Sequence, residues 1–387
     1  MTTAVRLARS IEELEDSWRL HASAGEVFPG FDFLAVLERT GCASPERGWA
    51  PAHLVVAQDE RVVALAPAYL KGHSEGEFVF DWAWADAHER LGIAYYPKLL
   101  LGIPFTPATG SRVLAAPGFE AAEATDLLAR VLPELAKGLG VSSVHVNFLG
   151  RAAVSAFARQ GFTERHGLQL HWHRAGARSV DEFLARFDSK RRNQWRREER
   201  RVREAGVTWR RLDARELTPD VMAFVHRCYR ATVDAHVYGR PYLDESFFQS
   251  IAVSSLREAL VVLVAERGDT PIAMTFNVLA TVDGVRTLFG RYWGALEHVP
   301  FLHFVLGYAA LIETAIALEV DVIEPGAGGE HKQARGFDPV ITYSAHWVRE
   351  PRLRRAIEEH VARERLAIEG QRQALLEDSP WRTPSHT

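Results

Sequence analysis

Apolar positions between residues 301 and 318 recur at helical spacing. Phe304, Tyr308, Leu311, Ala315 and Leu318 share one face of a predicted helix. On either side the period changes. Residues 287–292 read as a strand ending in aromatics, and residues 321–324 as a short apolar strand. The run PGAGGEHKQARGF follows, a polar loop with glycines, a carboxylate, an imidazole and two cations, and then a closing strand. Loops at strand ends are where a rigid scaffold displays chemistry, so this stretch organises the reading of the chain.

The rest of the pattern predicts two α/β halves. In residues 1–175, Ser10 and Glu13 have capping-box spacing ahead of a helix with Leu14 and Trp18. Residues 53–57 and 61–69 read as a hairpin, and 95–105 as a third strand. Residues 119–139 read as a helix, 141–149 as a strand, 151–160 as a helix and 169–173 as a strand. In residues 212–350, helices over 219–237 and 245–253 precede strands over 259–266, 272–281 and 287–292. The pieces Ile103-Pro104-Phe105 and Val299-Pro300-Phe301 each precede a long helix and an apolar strand, a weak internal repeat. Residues 351–377 read as a helix that opens on Pro351, and residues 378–387 as a frayed end.

Composition narrows the class. The 387 residues are 47% hydrophobic and 25% charged, with net charge −4. No apolar run is long enough to span a membrane, and the N-terminus has acids where a signal peptide needs an apolar core. Cys42 and Cys228 form no framework, so a reduced cytoplasm is expected. His171 and His173 alternate on one strand, but no third ligand stands at a useful spacing, and no metal is expected. P-loop, dinucleotide-fingerprint and nucleophile-elbow motifs are absent, which removes support for nucleotide hydrolysis, dinucleotide redox chemistry and serine hydrolysis.

Charge is concentrated in residues 176–211, read as a basic helical connector. From Arg186 to Arg211 stand eleven Lys or Arg against four acids. Ser179 and Glu182 again have capping-box spacing. Arg192, Arg196, Arg200 and Arg203 share one helical face, a candidate phosphate-binding surface; the alternative is a solvated helix held by intrahelical pairs.

The motifs RYWG, YAALIETAIALEVD, PGAGGEHKQARGF, YSAHW, YYPKLLLGIPFTPATG and KRRNQWRREERRV together resemble the Fem-type branch of the GNAT acyltransferases. The likeness is greatest to the bacterial group named for presumed peptidoglycan biosynthesis or recognition. The resemblance covers nearly the whole chain. It implies an α/β (α+β) architecture of two tandem GNAT-like domains, at 1–175 and 212–350, joined by the basic connector and followed by a C-terminal helix and tail at 351–387. It also implies transfer of an acyl or aminoacyl group onto an amine acceptor, such as a peptidoglycan precursor. The donor would be an aminoacyl-tRNA or an acyl-CoA, with tRNA as a partner, no DNA and no permanently bound cofactor. Two alternatives stand beside this: a non-catalytic protein that recognises a wall precursor or an anionic ligand, and an acetyl-CoA-dependent N-acetyltransferase. The Q/R-x-x-G-x-G/A loop that cradles the CoA pyrophosphate is matched by neither GALEHVPF nor PFTPATGSRVL, which argues against the last. The connector is shorter than the helical arm that Fem-type transferases use for tRNA.

Amine acylation needs donors for the developing oxyanion and a route for the amine proton. The resemblance places a donor-side lysine near Lys332. The loop also offers Glu330 and His331, and Tyr343 on the closing strand is a candidate acid. Arg291, Tyr292, Trp293, Gly328, Gly329 and Arg335 are candidates for a donor or acceptor groove. So are Tyr95, Tyr96, Lys98 and Thr106 in the first half, and Asp234 and His236 in the second. The sequence leaves open which half holds the active site and how the chain oligomerises.

Overall fold

The structure is a computed structural model and describes residues 2–22, 25–235 and 239–381. The chain forms two compact units. Unit 1 is Met1–Leu168 with Ile341–Arg372, and unit 2 is Gln169–Val340 with Gln373–Thr387. These limits differ from the sequence reading. Residues 176–211 are part of unit 2 rather than a connector, and the chain returns to unit 1 at residue 341 rather than ending a domain at 350.

Unit 1 contains strands β1 (Thr3–Ala8), β2 (Trp49–Pro51), β3 (His53–Gln58), β4 (Arg61–Ala66), β5 (Ala68–Lys71), β6 (Lys98–Leu101), β7 (Leu114–Ala115), β8 (Ser143–Leu149) and the first part of β9 (Thr163–His173). β1, β3, β4 and β7 form one antiparallel sheet. In the other sheet β2, β5 and β6 are antiparallel neighbours, and β6 runs parallel to β8. A parallel step needs a crossover, here the helix Ala121–Leu139, whose Leu127, Leu128 and Leu132 bury against Leu99, Leu101, Val144 and Val146. The expected strand at 95–105 shrinks to β6, because Pro97 and Pro104 cannot donate to a ladder.

Unit 2 contains the rest of β9, then β10 (Val207–Arg211), β11 (Leu260–Arg267), β12 (Thr270–Val282), β13 (Val285–Ala295), β14 (Val322–Glu324) and the start of β15 (Phe337–Val348). β10 to β13 form an antiparallel run, and β13 is parallel to β14. The crossover is again a helix, over residues 302–317. Its middle, Val305–Ala309, is a π-helix, so the expected single α-helix is interrupted by one wide turn. Such turns cluster at functional sites.

Two strands, β9 and β15, run across the unit limits along the chain. β15 pairs with β8 in unit 1 through residues 343–348, and β9 pairs with β14 in unit 2 through Trp172 and His173. The repeated corner has a shared backbone signature. Phe105 has φ 56° and Phe301 has φ 69°, left-handed values that a bulky residue rarely adopts. The fold class is therefore the expected one, mixed α/β with two GNAT-like units in tandem.

The basic helix Ser189–Glu204 starts where Asp188 accepts a hydrogen bond from the Arg191 amide. It buries Trp195, Glu198 and Val202 in unit 2. The helix Pro351–Glu377 buries Leu353, Ile357 and Val361 in unit 1, and Leu375 packs on the core of unit 2. Residues 378–381 are anchored rather than frayed. The Trp381 indole N–H donates to Asp338 at 2.8 Å, and its ring lies 4.7 Å from that of Phe187. Residues 382–387 lie outside the described residues. No helix among the described residues is long and apolar enough to cross a membrane.

Candidate functional site

β14 ends at Glu324, and the chain turns through Gly326, Gly328 and Gly329, all at positive φ. A short 3-10 turn, Glu330–Arg335, follows, and Gly336, also at positive φ, leads into β15. Two of these glycines are required by space as well. A Cβ on Gly329 would lie 2.9 Å from Lys332 Cε, and one on Gly336 would lie 2.6 Å from the Trp381 ring.

Three anchors fix the turn. Gln333 donates to the carbonyls of Leu375 and Asp378. Arg335 makes a bidentate pair with buried Glu198, at 2.5 and 3.0 Å, and its guanidinium sits 4.5 Å above the Phe304 ring. Gly336 packs against Phe183, Phe187 and Trp381. Arg335, expected in a substrate groove, is thus committed to holding the loop.

The anchors leave His331 and Lys332 as the chemistry of the turn. Lys332 is buried, and its ammonium donates to the Gly326 carbonyl at 2.9 Å and the Pro325 carbonyl at 3.5 Å. No carboxylate pairs with it among the described residues. Burial alone pushes its pKa down to about 8. An ammonium held by neutral carbonyls in a desolvated place is poised to meet an anion or a developing oxyanion.

His331 is exposed on one side and receives partners from the crossover helix on the other. Its Nε2 and the Tyr308 hydroxyl are 2.8 Å apart, and the rings of His303 and Phe304 lie 5.5 and 5.6 Å away. Burial, with Lys332 and Arg335 nearby, lowers its pKa, so the imidazole is neutral at pH 7. Tyr308 is pushed up to about 12 by burial and stays a neutral phenol. His303 is pushed down to about 4 by burial and by these same cations, and its ring lies 5.0 Å from that of Trp293. His171 on β9 is pushed down to about 3 by burial, His173 and Lys332. Tyr308 stands on the π-helical turn, and His303 two residues before it. The sequence reading used Tyr308 only as a face marker and passed over His303; a histidine at the mouth of an apolar helix was the available signal.

β13 carries the other candidates. Its pairing with β12 skips Arg291, so Arg291 is the extra residue of a β-bulge beside the site, a device that re-aims side chains. Trp293 faces His303, whereas Tyr292 packs with Tyr229, Phe248 and Phe276 in an aromatic cluster.

The remaining sequence candidates fall elsewhere. Tyr343 belongs to unit 1, where Arg151 donates to its hydroxyl at 3.0 Å. Tyr95 and Lys98 are buried in unit 1 within a polar cluster, while Tyr96 is half-buried with its hydroxyl 2.8 Å from that of Ser74. Thr106 is buried and donates to the Pro104 carbonyl. Asp234 pairs with Arg230 one helical turn back. His236 and the side chain of Glu330 lie outside the described residues. Of the basic face, Arg192 donates to the Phe187 carbonyl, and Arg196 and Arg200 are exposed with long ion pairs to Asp181 and Glu204. Arg203 lies 4.2 Å over the Trp209 ring. Among the described residues, no group of three or more His, Cys, Asp or Glu is arranged to hold a metal ion.

A protein-family model described as FemAB-like, peptidoglycan biosynthesis/recognition, matches residues 10–383. No curated protein matches the sequence. Among solved structures, FemX superposes with TM-score 0.54 at 12% identity, over 92% of this chain and 100% of its own. L-PGS from Bacillus licheniformis gives 0.51 at 10% identity, over 88% and 99%. A conserved protein of unknown function from Bacteroides thetaiotaomicron gives 0.52 at 10%, over 89% and 99%. At these identities the likeness is one of fold.

Proposed function

Since the chain belongs to the FemAB-like family of peptidoglycan biosynthesis/recognition proteins, we propose that it is a cytoplasmic acyl- or aminoacyltransferase acting on an amine of a peptidoglycan precursor. The observation that carries this reading is Lys332: a buried ammonium on backbone carbonyls, next to a neutral imidazole that a phenol orients. The amine nitrogen attacks the acyl carbon, and the carbonyl oxygen gains the charge that Lys332 meets. The amine then loses its proton to the neutral His331, and the donor's leaving group departs. Tyr308 is a positioning residue that fixes the imidazole tautomer. Tyr308→Phe is expected to lower turnover about fivefold, the equivalent of one hydrogen bond, and to shift the acid limb of the pH–rate profile. An unchanged acid limb would detach Tyr308 from His331.

The donor is an aminoacyl-tRNA or an acyl-CoA. The exposed arginines of the basic helix favour a polyanionic donor. Replacing Arg192, Arg196, Arg200 and Arg203 with Gln is expected to weaken tRNA binding and flatten its salt dependence. The loss of stability from Arg196 and Arg200 should be small, since exposed ion pairs contribute about 0–1 kcal/mol each, and Arg192 and Arg203 give up a backbone hydrogen bond and a ring contact. A collapse in thermal stability with binding retained would make the helix purely structural.

The reading is tested by incubating an amine-bearing precursor with acyl-CoAs and with charged tRNAs. A mass increment equal to the acyl group supports transfer. Reversible binding of the precursor with no increment from any donor would favour recognition without catalysis.

A further inference from the structure

Unit 1 holds a second cluster of ionisable groups, apart from the Lys332 loop. Lys98, fully buried on β6, donates to Glu77 at 3.0 Å, to Asp81 at 2.5 Å and to Ser74 at 3.0 Å. The Tyr95 hydroxyl donates to the same Asp81 oxygen, Oδ2. His145 Nε2 lies 3.2 Å from that hydroxyl and 2.8 Å from Ser143 Oγ. His145 Nδ1 and His346 Nδ1 share one hydrogen bond at 2.7 Å, and His346 Nε2 lies 2.8 Å from Ser344 Oγ. The lysine and the phenol therefore converge on Asp81 Oδ2, beside two neutral histidines. Burial is the main cause of their low pKa, which for His145 is about 3.

This network locks one oxygen of Asp81 and leaves the other. Asp81 Oδ1 and Glu77 Oε1 are buried and accept from no described group. Buried acceptors without donors are rare and costly. Charge is also unbalanced. Lys98 is one cation between two carboxylates. The other lysine, Lys71, donates to the carbonyls of Gly48 and Glu75 and lies 3.5 Å over the Trp49 ring. Burial pushes Lys71 down to about 7 and Glu77 up to about 7. Burial opposes ionisation of Asp81 as well, but Lys98 and His145 hold its carboxyl below the usual range.

Glu77 rides on the irregular segment between β5 and the helix Trp82–Arg90. Its neighbours Gly76 and Phe78 both have positive φ, at 78° and 58°. A phenylalanine there is strained, and such strain persists where surrounding structure imposes it. Gly76 packs against the Phe105 ring, too close for a Cβ, and its carbonyl accepts from the Phe105 amide at 3.2 Å. The repeated corner thus seats the segment that covers the cluster.

We propose that Glu77 and Asp81 form a binding site for a primary ammonium group, covered by residues 72–81. An ammonium has donors to offer the two bare oxygens, and its charge replaces the proton that Glu77 otherwise retains. Where that ammonium belongs to the acceptor, the proposal rests on the transfer reading; the binding itself does not. The sign of the pH dependence follows. Below about pH 7 Glu77 is protonated and the ammonium must displace that proton; above it the carboxylate is free. Lys71, losing its own proton over the same range, acts in the same direction, while Lys98 stays charged and burial lowers the pKa of His73, His88, His145 and His346.

The probe is n-propylammonium, with n-propanol as control, measured by calorimetry on the full chain in two buffers of different ionisation heat. Affinity is expected to rise about tenfold from pH 6 to pH 8, with proton release at pH 6 and no propanol binding. Glu77→Gln is expected to weaken binding at least tenfold and to flatten the pH dependence. Lys332→Ala should leave binding unchanged, which separates failure of this site from failure of the transfer reading. On the unmodified chain, infrared difference spectroscopy at pH 6 should show a protonated carboxyl band lost on adding propylammonium. No heat at pH 8 with folded protein, equal binding of propanol, unaltered binding in Glu77→Gln or an unchanged carboxyl band would overturn the proposal.

Discussion

Glu198→Ala is expected to lower the unfolding free energy by about 3–5 kcal/mol, one of the two largest effects the structure predicts. Glu198 lies on the inner face of the helix Ser189–Glu204, and Gln194 donates to it at 2.9 Å. Its two oxygens take both guanidinium hydrogen bonds from Arg335. Truncation leaves the Arg335 cation buried over Phe304 without a counter-ion. Glu198→Gln keeps an acceptor and should cost less, about 1–3 kcal/mol. Replacing both partners with leucine should recover much of the loss, because the desolvation cost disappears along with the attraction. Chemical denaturation of Glu198→Leu, Arg335→Leu and the double variant yields the coupling energy. A loss under about 1 kcal/mol in Glu198→Ala would mean the pair is hydrated in solution and does not anchor the loop.

Lys332→Ala is expected to reduce transfer by about 10²–10³ while leaving the fold intact, the cost of removing one oxyanion donor. The fold should survive because the loop is held by Gln333, Arg335 and Gly336 rather than by the lysine. The pH dependence adds a second signature. The ammonium is the active form and its pKa is about 8, so turnover should fall as pH rises through that value. Lys332→Arg keeps a cation that does not titrate there, so it should retain partial activity and move the alkaline fall upward. Equal activity in the Ala and Arg variants would rule out an electrostatic role.

The elements were legible where pattern and local chemistry agree. The helix Ala121–Leu139, the helix opening at Pro351 and the cap at Ser179 follow from periodicity and capping residues. The IPF and VPF pieces, three residues each, both end on a phenylalanine at left-handed φ. What sequence could not show is where chain order and space part company. Tyr343 follows Lys332 by eleven residues yet belongs to the other unit, because β15 crosses the boundary at residue 341. Arg335 and Glu198 are far apart in sequence, so a groove arginine and a clamp arginine look alike until the partner is seen. Glu77 and Asp81 stood in an unremarked stretch, because their meaning depends on Lys98, His145 and His346 arriving from three separate strands. The π-helical turn that presents Tyr308 has no periodic signature in so short a run.

The central claim is that Lys332 stabilises an acyl-transfer step. It is tested most directly by following acyl incorporation into an amine-bearing precursor with the unmodified chain and with Lys332→Ala, from the same donor and at pH 7, by mass spectrometry. The account predicts the acyl mass increment with the unmodified chain and a rate about 10²–10³ lower with the variant, at unchanged thermal stability. Wild-type turnover in Lys332→Ala would contradict it and move the oxyanion contact to another group.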